Sequence, residues 1–295
     1  MDLVSAVVRI PAVGETVNAL SFNIYPGGKG ANQAVAVARL KHPVQMIGMT
    51  GTDAFGESLR STLAKNGVDV THVGSAEGVT GTASIFVSEL GENCIAVNAG
   101  ANEWLTPEML LSKADVITRA GVVLTQLEIP IETVECLAEL CRNRGVPLML
   151  DPAPTQTLSP ATLSSITWFT PNEAEVLFYA EKWRSDTELL EKLFSLGTQG
   201  VVLKRGDKGV LIAERGSPPV AVAAPIVRVL DTTAAGDAFN GAFAVALMRG
   251  LSPERGACFA NAAASISVTR SGAQPSLATL AEVEAMQHSI AMNQD

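Results

Sequence analysis

The stretch GVVLTQLEIPIETVECLAELCRNRGVPLML, residues 121–150, reads as strand, helix, strand. Residues 121–127 form an apolar run of β-type composition, and 147–150 form a second. Between them Ile131, Val134, Leu137, Ala138 and Cys141 recur at the spacing of one helix face. Such a βαβ unit lays its two strands parallel, because the crossover helix returns the chain to the same end of the sheet. The alternation extends outward in both directions. Residues 44–48 read as a strand and 55–65 as the helix after it, while 166–170 and 200–203 are further short apolar strands. The pattern predicts a mostly parallel sheet with helices on both faces, with ligands bound beyond the carboxyl ends of the strands. Two stretches depart from it: about 3–26 and 82–97 are rich in β-type residues without an intervening helix of normal length. They are expected to pair as a small β-sheet lid over the main sheet. With no internal repeat, low-complexity tract or linker, residues 1–295 read as a single domain carrying that lid.

The composition narrows the function. Of 295 residues, 47% are hydrophobic and 17% charged, the profile of a compact enzyme-sized domain. A net charge of −9 argues against a surface built to coat nucleic acid, so an anionic ligand needs a local site of backbone amides and a few cations. Cys94, Cys136, Cys141 and Cys258 include no C-x-x-C pair, and with no signal peptide evident they read as free thiols in a reducing cytoplasm. No apolar run approaches membrane-spanning length. His42, His72 and His288 have no partner at metal-ligand spacing, which disfavours histidine triads and zinc sites.

Three segments carry chemistry. The run Asp231-Thr232-Thr233-Ala234-Ala235-Gly236-Asp237 leads into a helical stretch ending near Met248. Small residues at 234–236 let a ligand approach the backbone, and amides at a helix start point outward unpaired toward negative charge. Asp237 then sits in the first turn, as a proton acceptor beside a phosphate or as an ordinary first-turn acid. The second run, Gly27-Gly28-Lys29-Gly30-Ala31-Asn32-Gln33, precedes an alanine-rich helix from 34 to 40. It reads as a tight loop that offers Lys29 and Asn32 to a hydroxylated ligand, or as a plain turn. It is neither a Walker A motif nor G-x-G-x-x-G. In the third, Thr170-Pro171-Asn172-Glu173-Ala174-Glu175, Asn172 and Glu175 are spaced to orient waters around magnesium or to form a helix cap. Weaker candidates are Lys204 to Gly209, which reads as a hairpin turn, Asp151-Pro152-Ala153-Pro154 after a strand, and Glu128 past another.

In this order the segments resemble the ribokinase/PfkB-type carbohydrate kinase family, from Asp2 to about Ser276. The resemblance rests on Pro-Gly-Gly-Lys-Gly-Ala-Asn-Gln at 26–33, Asn-Ala-Gly-Ala-Asn at 98–102, Asp-Pro-Ala-Pro at 151–154, and the runs at 170–173 and 231–237. Within the family, Gly-Gly-Lys-Gly-Ala-Asn-Gln, Ala-Gly-Ala-Asn and the closing Thr-Arg-Ser-Gly-Ala-Gln-Pro-Ser favour the ribokinase branch. The resemblance implies a Rossmann-type three-layer α/β/α sandwich whose β lid often forms a homodimer contact. It implies that Asp2, Gly28, Lys29, Asn32 and Glu128 hold sugar hydroxyls. Asp237 is implied as the base, with the amides of Ala234, Ala235 and Gly236 as anion hole. ATP falls to Asn172 and to Lys204, Arg205, Gly206, Asp207, Lys208 and Gly209, with Asn261 near the adenine where a His is often found. Glu175 is implied to organise magnesium through water. Asp231, Thr233, Ser267, Arg270, Gly272 and Ser276 correspond to a monovalent-cation site, usually potassium.

One departure stands out. Family members usually begin with an apolar strand ending in Gly-x-x-Asn-x-Asp, of which only the last Asp appears, as Asp2. The family's first strand is therefore expected to be missing ahead of Met1. The activity implied is transfer of the ATP γ-phosphate to the 5-hydroxyl of D-ribose. A kinase for deoxyribose or another small sugar is the nearest alternative, and a non-catalytic sugar- or nucleotide-binding protein a more distant one. Gly236-Asp237 speaks against the latter, since a pure binder needs no base beside an anion hole.

Overall fold

Residues 200–204 show how the main layer is built. Val201 and Leu203 are buried with Phe169, Leu189 and Leu193, whereas Val202 between them is buried with Trp168, Phe243 and Phe259. Alternate side chains thus enter opposite cores, and a strand buried on both faces reads as a continuous apolar run. The computed structural model describes residues 1–292. Its first strands are β1 (Asp2–Val7), β2 (Ser21–Tyr25), β3 (Gln45–Gly51), β4 (Asp69–Ala76), β5 (Thr82–Ser88) and β6 (Asn93–Asn98). They are followed by β7 (Val123–Thr125), β8 (Leu148–Leu150), β9 (Trp168–Phe169), β10 (Gly200–Lys204), β11 (Val210–Glu214) and β12 (Val220–Val222). The helices are α1 (Lys29–Arg39), α2 (Ala54–Lys65), α3 (Pro107–Leu111), α4 (Ala114–Ile117), α5 (Ile131–Arg144) and α6 (Pro160–Ser165). The remainder are α7 (Glu173–Ala180), α8 (Asp186–Ser195), α9 (Ala235–Met248), α10 (Pro253–Ser267) and α11 (Leu280–Met292).

The main sheet has the order β12-β11-β10-β9-β8-β7, parallel from β7 to β10 and antiparallel at β11 and β12. One face packs on α1, α9, α10 and α11, the other on α5 to α8, which makes the three layers. The parallel strands β3 and β4 stand as a separate pair, with α2 packed against both. A four-stranded sheet, β2-β1-β5-β6, is built from the two stretches that lack helical periodicity. Among the described residues no helix is long and apolar enough to cross a membrane.

Several boundaries differ from the sequence-based expectation. The run at 121–127 ladders only over Val123–Thr125, because Leu127 turns its amide to Ala153 O at 3.0 Å. The run at 166–170 shortens to Trp168–Phe169, although Thr167 and Thr170 still bond to Leu148 and Leu150. The strand β4 was not among those expected, since its polar Asp69, Thr71 and His72 interrupt the apolar pattern. The largest difference is at α1, which begins at Lys29 rather than Ala34. Only Gly27 and Gly28 remain as loop, and Gly28, at φ +92°, takes the cap position.

Helix α9 is buried continuously from Asp237 to Ala246, enclosed by α1 and α10. Its small residues allow this closeness. A Cβ added to Gly241 would lie 2.7 Å from Ala36 Cβ and 2.9 Å from Gln33 O. Because one of these neighbours is backbone, the crossing cannot yield by a rotamer change. Gly241→Ala is expected to destabilise the fold by about 1–3 kcal/mol, the usual cost of overpacking. A lowered denaturation midpoint with unchanged slope in urea would show it; an unchanged midpoint would mean the helices separate freely.

Candidate active site

The parallel strands end on one side of the sheet, and each delivers a polar residue there. Gln126 and Glu128 follow β7, Asp151 follows β8, Asn172 follows β9 and Lys204 closes β10. The amino ends of α1 and α9 meet the same region, and β1 brings Asp2 over it. The convergence is a consequence of topology: strand ends and crossover-helix starts share one edge of an open α/β sheet.

Asp237 is at its centre. The side chain is buried, 5% exposed, in the first turn of α9. Asn32 Nδ2 donates to its Oδ2 at 2.9 Å and Gln33 Nε2 to its Oδ1 at 3.0 Å. Both donors are consecutive residues of α1, so the earlier start of that helix is what aims them. Burial pushes the Asp237 carboxyl above the ordinary range; Lys29 pulls it back, Asp151 adds to the rise, and the two amides favour the charged form. Asn32 Oδ1 is buried and has no hydrogen-bond partner among the described residues. Of the three amides expected as an anion hole, that of Ala235 donates to Thr232 O at 3.2 Å. The Gly236 amide, in the first turn of α9, has no such backbone acceptor. Ala234 caps the helix in a left-handed conformation, φ +60°.

Two lysines face these carboxylates. Lys204 Nζ lies 3.4 Å from where a Cβ on Gly236 would stand, and it pairs with Asp151 Oδ1 at 2.9 Å. Burial opposes the charge on Lys29, yet Asp237, Asp151, Glu128 and Glu175 raise its pKa above the usual value. Glu128 Oε2 accepts from the Lys29 amide at 2.8 Å, capping α1 from another element, while its own carboxyl is raised by burial. The Asp2 carboxylate lies directly against Gly27, where a Cβ would fall 2.2 Å from Oδ2. No other residue fits at 27 without moving Asp2.

At α7, Asn172 and Glu175 form a complete capping box. Glu175 N donates to Asn172 Oδ1, and Glu175 accepts from the Asn172 amide and side chain, each at 2.8 Å. Burial raises the Glu175 carboxyl while nearby Lys204 lowers it. The cap is therefore formed, in a place where Glu175 also faces the site.

Other expected residues lie apart from this centre. Arg205 pairs with Asp186 at the start of α8, and Gly206, Asp207 and Lys208 form a short 3₁₀ turn ending at Gly209, between β10 and β11. The hairpin reading of 204–209 thus describes the backbone. Asn261 is 4% exposed and donates to Val222 O (2.9 Å) and Ala223 O (3.1 Å), fastening α10 to the end of β12. Asp231 receives the Thr233 amide at 2.9 Å and the Gly272 amide at 2.8 Å, joining two loops beside α9. Although burial opposes it, these bonds hold the Asp231 carboxyl below the usual range. The Ser267 and Ser276 hydroxyls donate to Ala264 O and Ala273 O, each at 2.8 Å, and Arg270 pairs with Glu282.

Sequence reasoning gave no role to Gln33 and Gln126, and placed Asp151 only in a weaker candidate segment after a strand. Gln33 lay inside a quoted motif, but nothing local distinguishes it from a surface glutamine. Its partners are 93 to 204 positions away.

The chain matches the model of the pfkB family carbohydrate kinase over residues 1–280. It is 43% identical to a ribokinase of Bacillus subtilis, an alignment covering 96% of this chain and 95% of that one. Among solved structures it is similar to a ribokinase of Thermotoga maritima, with 37% identity and a TM-score of 0.88 over 97% of this chain and 96% of that one. It is also similar to a ribokinase of Arabidopsis thaliana complexed with ribose and ATP, with 35% identity and a TM-score of 0.89 over 96% and 94%. A family model that spans nearly the whole sequence and a curated relative at this identity and coverage agree, and the chain belongs to the pfkB family of carbohydrate kinases.

Proposed function

We propose that this chain is an ATP-dependent ribokinase that transfers the γ-phosphoryl group to the 5-hydroxyl of D-ribose. The observation that carries the proposal is Asp237, buried in the first turn of α9, with Lys29 near enough to favour its charged form and Lys204 beside Gly236. Asp237 takes the proton of the attacking hydroxyl as its oxygen bonds to phosphorus and the bond to ADP breaks. The amides at 234–236 and the Lys204 ammonium face the negative charge of the transferred group; the Ala235 amide must turn from Thr232 O to join them. Asp2, Gly28, Lys29, Asn32 and Glu128 hold the sugar, and the buried, unpartnered Asn32 Oδ1 is free to accept from a sugar hydroxyl. The nucleotide lies along Asn172 and residues 204–209. Asn261 reaches the adenine only by releasing the β12 carbonyls.

Two cations fit the residues present. Both Glu175 oxygens are engaged in the capping box, so the remaining lone pairs suit water-mediated contact with magnesium rather than direct ligation. Magnesium, when bound, neutralises the phosphate oxygens. Asp231 has no cationic side chain paired with it among the described residues, since Arg270 turns to Glu282. A potassium ion beside Asp231, Thr233, Gly272 and nearby carbonyls would balance that charge. The four cysteines are free thiols, which supports a reducing, cytoplasmic setting.

The small sheet is proposed as a lid and as the contact of a homodimer. Phe22 and Ile24 of β2 share one face and are 58% and 48% exposed, an apolar pair that association would cover.

Asp237→Asn keeps the shape and removes the proton acceptor, so turnover should fall at least about a hundredfold while ATP still binds. ADP formation with a panel of ribose, deoxyribose and other small sugars reads this out; near-normal turnover in a folded variant would remove Asp237 from the role. In the unmodified chain, activity should fall as pH drops through the raised Asp237 pKa, because only the carboxylate accepts the proton. At equal ionic strength potassium should give a higher rate than sodium, and equal rates would count against the Asp231 site. Phe22→Glu should convert a dimer to a monomer in sedimentation; a wild type that sediments as a monomer would rule the contact out.

A further inference from the structure

Gln33 is 2% exposed, and every polar atom of its side chain is committed. A carboxamide nitrogen carries two hydrogens. Gln33 Nε2 donates to Asp237 Oδ1 at 3.0 Å and to Asp151 Oδ2 at 3.2 Å. Its Oε1 accepts from Gln126 Nε2 at 2.6 Å. The amide therefore has one orientation: reversing it would set an oxygen against two carboxylates and a nitrogen against another donor. Asp151 is itself buried, 3% exposed, and its second oxygen is held by Lys204 Nζ. A continuous chain thus runs Asp237, Gln33, Asp151, Lys204. It passes from the sugar-side carboxylate to the cation beside the start of α9, and four separate elements supply its members.

We propose that Gln33 is a positioning residue that locks the orientation of the Asp237 carboxylate and ties it to the Asp151–Lys204 pair on the phosphate side. The proposal rests on the reading of Asp237 as the base. Two buried carboxylates served by one amide repel each other, and among the described residues Gln33 supplies the only hydrogen-bond donor common to both. Without it Asp237 keeps one donor, Asn32, and is free to turn about its side-chain bond. Proper alignment of base, hydroxyl and phosphorus is lost more readily than affinity for either substrate, since both Gln33 amide hydrogens go to carboxylates and the side chain is 2% exposed.

The test is Gln33→Met, close in volume but without donor or acceptor. The turnover number should fall about tenfold or more, with KM for ribose and for ATP within about twofold. The acid limb of the rate profile should move to higher pH, because the buried carboxylate loses a bond that favours its charged form. The charged groups facing it, Lys29 from α1, Asp151 after β8, Glu128 after β7, Lys204 from β10 and Glu175 from α7, are unchanged in this variant. Asp151→Asn removes the repelling charge and should move the same limb to lower pH. Should Gln33→Met fail to fold, Gln126→Met decides, since it releases the amide while leaving both carboxylates and Gln33 in place. It should lower turnover in the same sense, with the limb again moving upward. Unchanged turnover and an unmoved profile in whichever variant folds overturn the proposal when Asp237→Asn is inactive. An active Asp237→Asn overturns instead the reading of the base on which it rests.

Discussion

A carboxylate at the amino end of a buried helix depends on what supplies its hydrogen bonds, and here the donors come from a second helix. Asp237 on α9 is held by Asn32 and Gln33 on α1. An unpaired charge at that depth would cost several kcal/mol. The pairing therefore requires α1 to begin early enough to present both amides, and requires the two helices to lie close together. Glycine 241 and Ala36 meet that second requirement at the crossing. Packing of small residues and placement of the Asp237 carboxylate are one constraint seen from two sides.

The same edge of the sheet gathers opposing charges, of which Asp151 and Lys204 form a direct pair. Asp2, Glu128, Asp151, Glu175 and Asp237 surround Lys29 and Lys204. Burial raises the Glu128, Glu175 and Asp237 carboxyls, and a nearby lysine, Lys29 or Lys204, pulls each of them back. Lys204 is held by Asp151 at 2.9 Å and stands beside Gly236 at the start of α9.

Secondary interactions fasten this arrangement. The Asn172–Glu175 box fixes the start of α7, the Glu128 carboxylate caps α1, and Asn261 clamps β12 to α10. Capping and site-building are not alternatives at Asn172 and Glu175. One pair of side chains satisfies the helix end and also faces the cluster.

Much of the fold was legible in the sequence because it rests on local regularities. The period of the apolar residues between 121 and 150 encodes strand, helix and strand, and the small residues of 234–236 mark the start of a helix. Asp237 could be singled out from its place in that turn. The spacing of Asn172 and Glu175 specified the cap that formed. Tertiary structure decided what those residues meet. A glutamine at position 33, an aspartate at 151 and a lysine at 204 carry no mutual spacing, yet parallel strand ends and one helix start bring them within hydrogen-bonding distance. It also turned Arg205 toward Asp186 and Asn261 toward β12. The physical reason is the same in each case. Periodicity and turn chemistry are written into neighbouring residues, whereas the partner of a buried polar group is set by which distant elements pack against it.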